Sequence, residues 1–147
     1  MEQNGAVEDA AAGGLDAALS RVGDRWSLLV VGSLLDGPRR FNELDASLPG
    51  IATSVLSQRL KALEAEGVVV ASRYSVRPPR FAYALTEAGR ELAGAVRLLA
   101  QWGAARGGLG GEGLVHAECG GPLEARWYCP TCERVLDEDD GAEPSYI

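Results

Sequence analysis

Every cysteine of the chain and its only histidine fall within 17 positions: His116, Cys119, Cys129 and Cys132, two pairs of x2 spacing with nine residues between them. Four soft or borderline ligands in this pattern satisfy a tetrahedral Zn2+, each pair on a tight knuckle. Gly120 and Gly121 free the backbone at the first knuckle, and Pro130 lies inside the second. A Cys3His site uses all four groups, whereas a Cys129–Cys132 redox pair leaves Cys119 and His116 unexplained and has no βαβ pattern before it. The expected cofactor is a structural Zn2+, with the redox pair as the alternative. Residues 114–136 are too few to bury a core, so the metal is expected to supply much of the folding energy of a zinc-ribbon-like unit, with 123–128 as one strand.

A second set of chemistry-bearing side chains lies in residues 51–67, IATSVLSQRLKALEAEG. Thr53 and Ser54 offer N-cap oxygens, Gly67 offers a left-handed stop, and Leu56, Leu60 and Leu63 recur as a buried helical stripe requires. The opposite face carries Ser54, Ser57, Gln58 and Lys61, hydrogen-bonding groups and one cation, a set suited to base edges and phosphates. A solvated helix face has a similar composition, so the neighbouring elements decide.

Those neighbours are informative. Residues 1–14 are acidic and without periodicity, and read as a disordered tail. Leu15, Ala18, Leu19 and Val22 give one apolar edge at helical spacing. Asp24 can cap a helix over 25–35 that is apolar almost all round, stopped by Asp36-Gly37-Pro38. Arg39-Arg40-Phe41 is a short extended piece, and a two-turn helix over 42–48 completes a helix-turn-helix with the polar-faced helix. Residues 68–74 and 80–85 are β-prone, and the loop 75–79 between them, flanked by Arg77 and Arg80, makes a stiff basic wing.

Thr86 can cap a last helix over 87–103, in which Leu92, Val96, Leu99 and Trp102 form a long apolar stripe. A two-stranded wing cannot cover that stripe, so a partner subunit is expected, with Leu15 and Leu19 joining the interface; packing on the 25–35 helix is the alternative. The domain organisation is thus a 15–106 DNA-binding and dimerisation domain, a Gly-rich linker at 107–113, the metal unit at 114–136 and an acidic tail at 137–147. The linker lacks the Gly-Lys-Ser/Thr ending of a phosphate-binding loop.

The net charge of −7 argues at first against nucleic acid, since phosphate contacts need cations. Its distribution reverses the inference: residues 1–20 carry −4, 114–147 carry −6, and 21–80 carry +3. No apolar run approaches a membrane span and no signal-peptide pattern opens the chain, so a cytoplasmic protein is expected.

The stretches VGDRWSLLVVGSLLDGPRRFNEL, LPGIATSVLSQRLKALEAEGVV and VRPPRFAYALTEAGREL, in this order, resemble the HxlR family of winged-helix transcriptional regulators, distant relatives of the MarR type. The resemblance covers residues 15–103. It implies a mainly α fold with a small β-hairpin (α+β), and a homodimer binding a palindromic operator in double-stranded DNA. It places the helix from Thr53 to Glu66 in the major groove, with Ser57, Gln58 and Arg59 matching most closely; by helix geometry Gln58 points outward, while Arg59 lies at the flank of the buried stripe and equally suits bracing the fold. Arg39 and Arg40 would hold phosphates, and Arg77 and Arg80 lie on the wing. Gly13-Gly14 stand where relatives often have a sensing cysteine, which removes thiol sensing by that route, and Ser54 replaces a basic residue found in many relatives. The cysteine cluster lies beyond the shared domain.

The leading expectation is therefore a dimeric, sequence-specific DNA-binding regulator with an appended zinc unit. The alternative is a winged-helix protein-interaction module using the zinc ribbon and acidic ends. An enzyme has little support, since no nucleophile-base or phosphate-cradling motif is present. A small-molecule effector is compatible with the apolar space between the 25–35 helix, the wing and the terminal helix, but no convergent polar set marks its pocket.

Overall fold

The computed structural model of the protein describes residues 3–107 and 113–136. Helix α1 (Gln3–Val22) begins twelve residues before the apolar edge that announced it, so the expected disordered tail is corrected over residues 3–14, residues 1 and 2 lying outside the described residues. Ala6, Ala10, Ala11 and Ala12 are the strongest helix formers, and they leave no apolar stripe for a periodicity argument to find. The helix ends as Gly23 donates its N–H to the Leu19 carbonyl at 2.8 Å, where a Cβ would strike the Leu19 backbone.

Asp24 sets the start of α2 (Arg25–Leu34), its Oδ1 accepting the Ser27 N–H at 3.0 Å. Val30, Val31 and Leu34 are buried on this helix, and Gly37 in the left-handed region (φ 134°) turns the chain away from it. Strand β1 (Arg39–Arg40) leads into α3 (Phe41–Ser47), which buries Leu44. Gly50 (φ 88°) makes the turn before α4 (Thr53–Ala65), and Gly67 (φ 71°) stops the helix as expected. Leu56, Leu60 and Leu63 of α4 meet Val30 and Val31 of α2, Leu44 and Leu48, and the sheet residues Val69 and Leu85 in one core. Burying each such side chain stabilises the fold by about 1.5–3 kcal/mol relative to exposure.

Strands β2 (Val69–Val76) and β3 (Pro79–Leu85) form an antiparallel hairpin that β1 extends to three strands in the order β1-β3-β2. The loop is shorter than the expected 75–79: Val76 pairs with Pro79, leaving Arg77-Pro78 as the whole tip. Two prolines read as loop in a sequence, yet a proline is tolerated as the first residue of a strand. The register shifts between Arg73 and Ser75, so Tyr74 is the extra residue of a bulge.

The expected single terminal helix over 87–103 is two. Thr86 caps α5 (Glu87–Glu91), its Oγ1 accepting the Gly89 N–H at 3.1 Å, and the chain turns at Leu92 into α6 (Ala93–Arg106). The Leu92 N–H bonds to the Gly89 carbonyl three residues back, tightening the turn, and Arg90 holds the Leu85 carbonyl at 2.9 Å. Gly89 is itself buried because α5 sits directly on the Val68 carbonyl; a Cβ there would collide with that oxygen.

Residues 113–136 form two hairpins. The first is closed by the isolated Val115–Pro122 bridge, and the second pairs β4 (Trp127–Cys129) with β5 (Arg134–Leu136). The expected strand over 123–128 is confined to its last two residues and Cys129, in keeping with the weak β-propensity of Glu124 and Ala125. The greater part of the expected linker, and the acidic tail, lie outside the described residues. No described helix is long and apolar enough to cross a membrane.

Candidate nucleic-acid interface

Burial of Leu56, Leu60 and Leu63 turns the other face of α4 outward, so Thr53, Ser54, Gln58 and Lys61 are exposed and Ser57 is half-buried. Thr53 and Ser54 do not cap the helix: Ala52 is the N-cap, no side chain bonds there, and both hydroxyls lie in the first turn. The positive end of the helix dipole and its first-turn amides thus stand beside two hydroxyls.

Arg59 points elsewhere. Its Nη1 lies 3.3 Å from Asp24 Oδ2 and the side chain is half-buried, so it braces α4 to the cap of α2. Burial alone would raise the Asp24 pKa; the Ser27 hydrogen bonds and the Arg59 charge outweigh it and hold the carboxyl below its usual range. A second brace, Arg21 to Glu66 at 2.8 Å, joins the end of α1 to the end of α4.

The wing and β1 bring the remaining cations together. The Arg40 guanidinium lies over the Tyr74 ring, 4.7 Å from its centroid, and the Arg40 N–H donates to Glu43 Oε2 at 2.6 Å. Stacking fixes the guanidinium plane and leaves its edge donors for a phosphate. Arg39 is half-buried opposite Tyr83, while Arg77 and Arg80 are exposed at the tip. Sequence reasoning missed Tyr74: the bulge that aims it has no signal in the alternation. Arg40, Phe41, Tyr74, Arg80, Phe81 and Tyr83 line an open cleft of about 480 Å³ behind the wing. Burial, aided by the Glu64 charge, pushes the Tyr83 hydroxyl pKa up.

The expected dimer stripe divides. Leu92 and Val96 pack against the core of their own chain, whereas Leu99 and Trp102 of α6 are 54% and 60% exposed. Leu15 and Leu19 of α1 are exposed too, and α6 buries no residue at all.

The Cys/His pairs stand at the two hairpin tips. His116 Nδ1 lies 3.4 Å from Cys119 Sγ. At the second tip the backbone N–H groups of Cys132 and Thr131 and the Cys132 thiol donate to Cys129, which lowers the Cys129 pKa and raises that of Cys132. None of the three cysteines is in a disulfide. Among the described residues no three His, Cys, Asp or Glu side chains are grouped to hold a metal, so each pair is formed but the expected four-ligand site is not assembled.

Residues 21–108 match the family model described as HxlR-like helix-turn-helix. The chain is 40% identical over 87 residues to the HTH-type transcriptional regulator YvaP of Bacillus subtilis, covering 59% of this chain and 81% of that protein. It is also 40% identical over 131 residues to the HTH-type transcriptional regulator Rv3095 of Mycobacterium tuberculosis, covering 86% of this chain and 82% of that protein. A span of that length has to cross the Gly-rich segment into the Cys/His region. The structure resembles that of the redox regulator HypR in its oxidized form, with a TM-score of 0.59 and 34% identity, covering 62% of this chain and 94% of that one. The family-matched stretch of the present chain contains no cysteine.

Proposed function

Because the chain belongs to the HxlR-like helix-turn-helix family of DNA-binding transcriptional regulators, we propose that it acts as a homodimer on a palindromic operator, with α4 in the major groove and the wing on the minor groove or backbone. The observation that carries this reading is the division of α4 into a buried leucine stripe and an exposed Thr53, Ser54, Gln58 and Lys61 face. A helix of 13 residues is about 20 Å long and fits a groove about 12 Å wide. Gln58 is assigned to a base edge, Lys61, Arg39, Arg40 and Arg80 to phosphates, and Arg77 to the wing contact. Arg59 acts by bracing.

Dimerisation rests on α6 and α1, whose Leu99, Trp102, Leu15 and Leu19 are apolar and exposed. Two copies of such a dimer's reading helix would address half-sites about 34 Å apart, one turn of duplex. Leu99→Glu should give a monomer by light scattering while keeping its thermal midpoint; a dimer persisting in that variant overturns the interface assignment.

The test of the reading face is fluorescence anisotropy on an operator recovered by selecting bound genomic fragments. Gln58→Ala should weaken binding by about 1–3 kcal/mol and relax one base position. Arg77→Ala should weaken all sequences alike and reduce the salt slope by about one. Folded variants that bind like the parent would remove both residues from the interface. The strongly negative net charge and the exposed Trp127 and Tyr128 favour a second reading, a protein-interaction module. It is selected if no DNA binds at low salt.

A further inference from the structure

We propose that His116, Cys119, Cys129 and Cys132 bind one Zn2+ that clamps the two C-terminal hairpins to each other. The two tips are built alike. Each places its ligands at x2 spacing and follows the second with a left-handed residue, Gly120 at φ 68° and Glu133 at φ 54°. For glutamate that conformation is sterically unfavourable, and it is kept where the surrounding structure dictates the turn.

Each tip also aims backbone N–H groups at sulfur. Gly121 N–H donates to Cys119 Sγ at 3.4 Å, and the Thr131 and Cys132 N–H groups donate to Cys129. Such N–H groups are placed to bond the lone pairs that a metal-bound sulfur keeps. His116 Nδ1 and Cys119 Sγ, 3.4 Å apart, already stand near the roughly 3.6 Å separation that tetrahedral Zn–N and Zn–S bonds impose on two ligands.

No apolar core holds this unit among the described residues. No described side chain of 113–136 is buried, and Val115, Leu123, Trp127, Tyr128 and Val135 are all exposed. Two hairpins without a core need a crosslink, and no disulfide is present. Each pair supplies half of a tetrahedral site, and the metal joins the halves. On binding, three thiols release their protons to solvent and the imidazole coordinates neutral, leaving the site with one negative charge. With four protein ligands the site has no place for a reacting water, so it is structural. The proposal is independent of the DNA-binding reading, because its readout is the metal itself.

The full-length chain, purified under reducing conditions and dialysed against metal-free buffer, should retain about one equivalent of zinc. Less than about half an equivalent overturns the proposal. Substitution by Co2+ should give the intense visible bands of a tetrahedral site together with thiolate-to-cobalt charge transfer; a weak octahedral spectrum counts against it. In competition with a chromophoric chelator, Cys119→Ser and Cys129→Ser should each lower affinity at least about 100-fold, and His116→Cys should keep one-to-one binding. If either serine variant binds like the parent, the hairpins do not share a metal. Alkylation covers variants that fail to fold: in the parent protein, zinc should slow modification of all three cysteines, and full-rate modification with zinc present rejects the site.

Discussion

Leu44, Leu56 and Leu63 have no measurable exposure in the 18–99 unit, whereas in residues 113–136 no described side chain is buried and Trp127 is 68% exposed. The first region is organised by an apolar core with polar braces around it. The second has only two short hairpins whose tips carry the chemistry. An element that packs tightly can present a fixed face to a long, regular partner such as duplex DNA; one that cannot must borrow its rigidity from a ligand. Substitutions should therefore act very differently in the two regions.

The largest effect is expected at the centre of the core. Leu60→Ala should destabilise the folded chain by about 2–5 kcal/mol in denaturant unfolding, since the deleted methyl groups leave a cavity among α2, α4 and the sheet. Gly89→Ala comes next, at about 1–3 kcal/mol, because the new Cβ meets the Val68 carbonyl; a thermal midpoint equal to the parent's would show that α5 can move. Asp24→Ala should cost about 1 kcal/mol, losing the α2 cap and the Arg59 brace together, and Arg59→Ala should cost less.

A smaller effect follows acid. The folded Asp24 pKa lies below the unfolded value near 3.9, so its contribution is intact above that value and is lost as pH falls through the folded pKa. The stability difference between parent and Asp24→Asn should shrink in unfolding curves below about pH 4; a constant difference would assign the effect to shape alone. At the other end, Trp127→Ala should change core stability by less than about 0.5 kcal/mol. A larger loss would erase the contrast between the regions.

Much of this was legible in the chain. The Leu56, Leu60 and Leu63 stripe, the Asp24 and Thr86 caps and the Gly67 stop each combine a local propensity with a tertiary role, so local and global signals agree. The basic segment between acidic ends pointed to the DNA-binding elements for the same reason. What was hidden depends on three-dimensional neighbours. Arg59 sits in the motif of the reading helix at the flank of its buried stripe, a place that suits reading or bracing alike, and the position of Asp24 decides for the brace. Tyr74 becomes the platform for Arg40 through a register shift that alternation does not encode. The Leu92, Val96, Leu99, Trp102 stripe is continuous in sequence, but the turn at Leu92 and the core beneath divide it between a covered half and an open one. The alanines of α1 carry propensity without periodicity, and a search for stripes passes over them.

The close approach at Gly89 reaches beyond stability. Thr86 donates to the Val68 carbonyl, on which Gly89 rests, and Arg90 holds the end of β3, so three successive attachments fix α5 to the root of the wing. With no side chain between helix and strand, there is no soft layer to absorb a displacement. Leu92 alone separates α5 from α6, so in the proposed dimer a tilt of α6 would pass through α5 to the base of the hairpin that carries Arg77 and Arg80. In that proposed dimer the spacing between the two wings would follow the angle between the two subunits, because both would turn on the same joint.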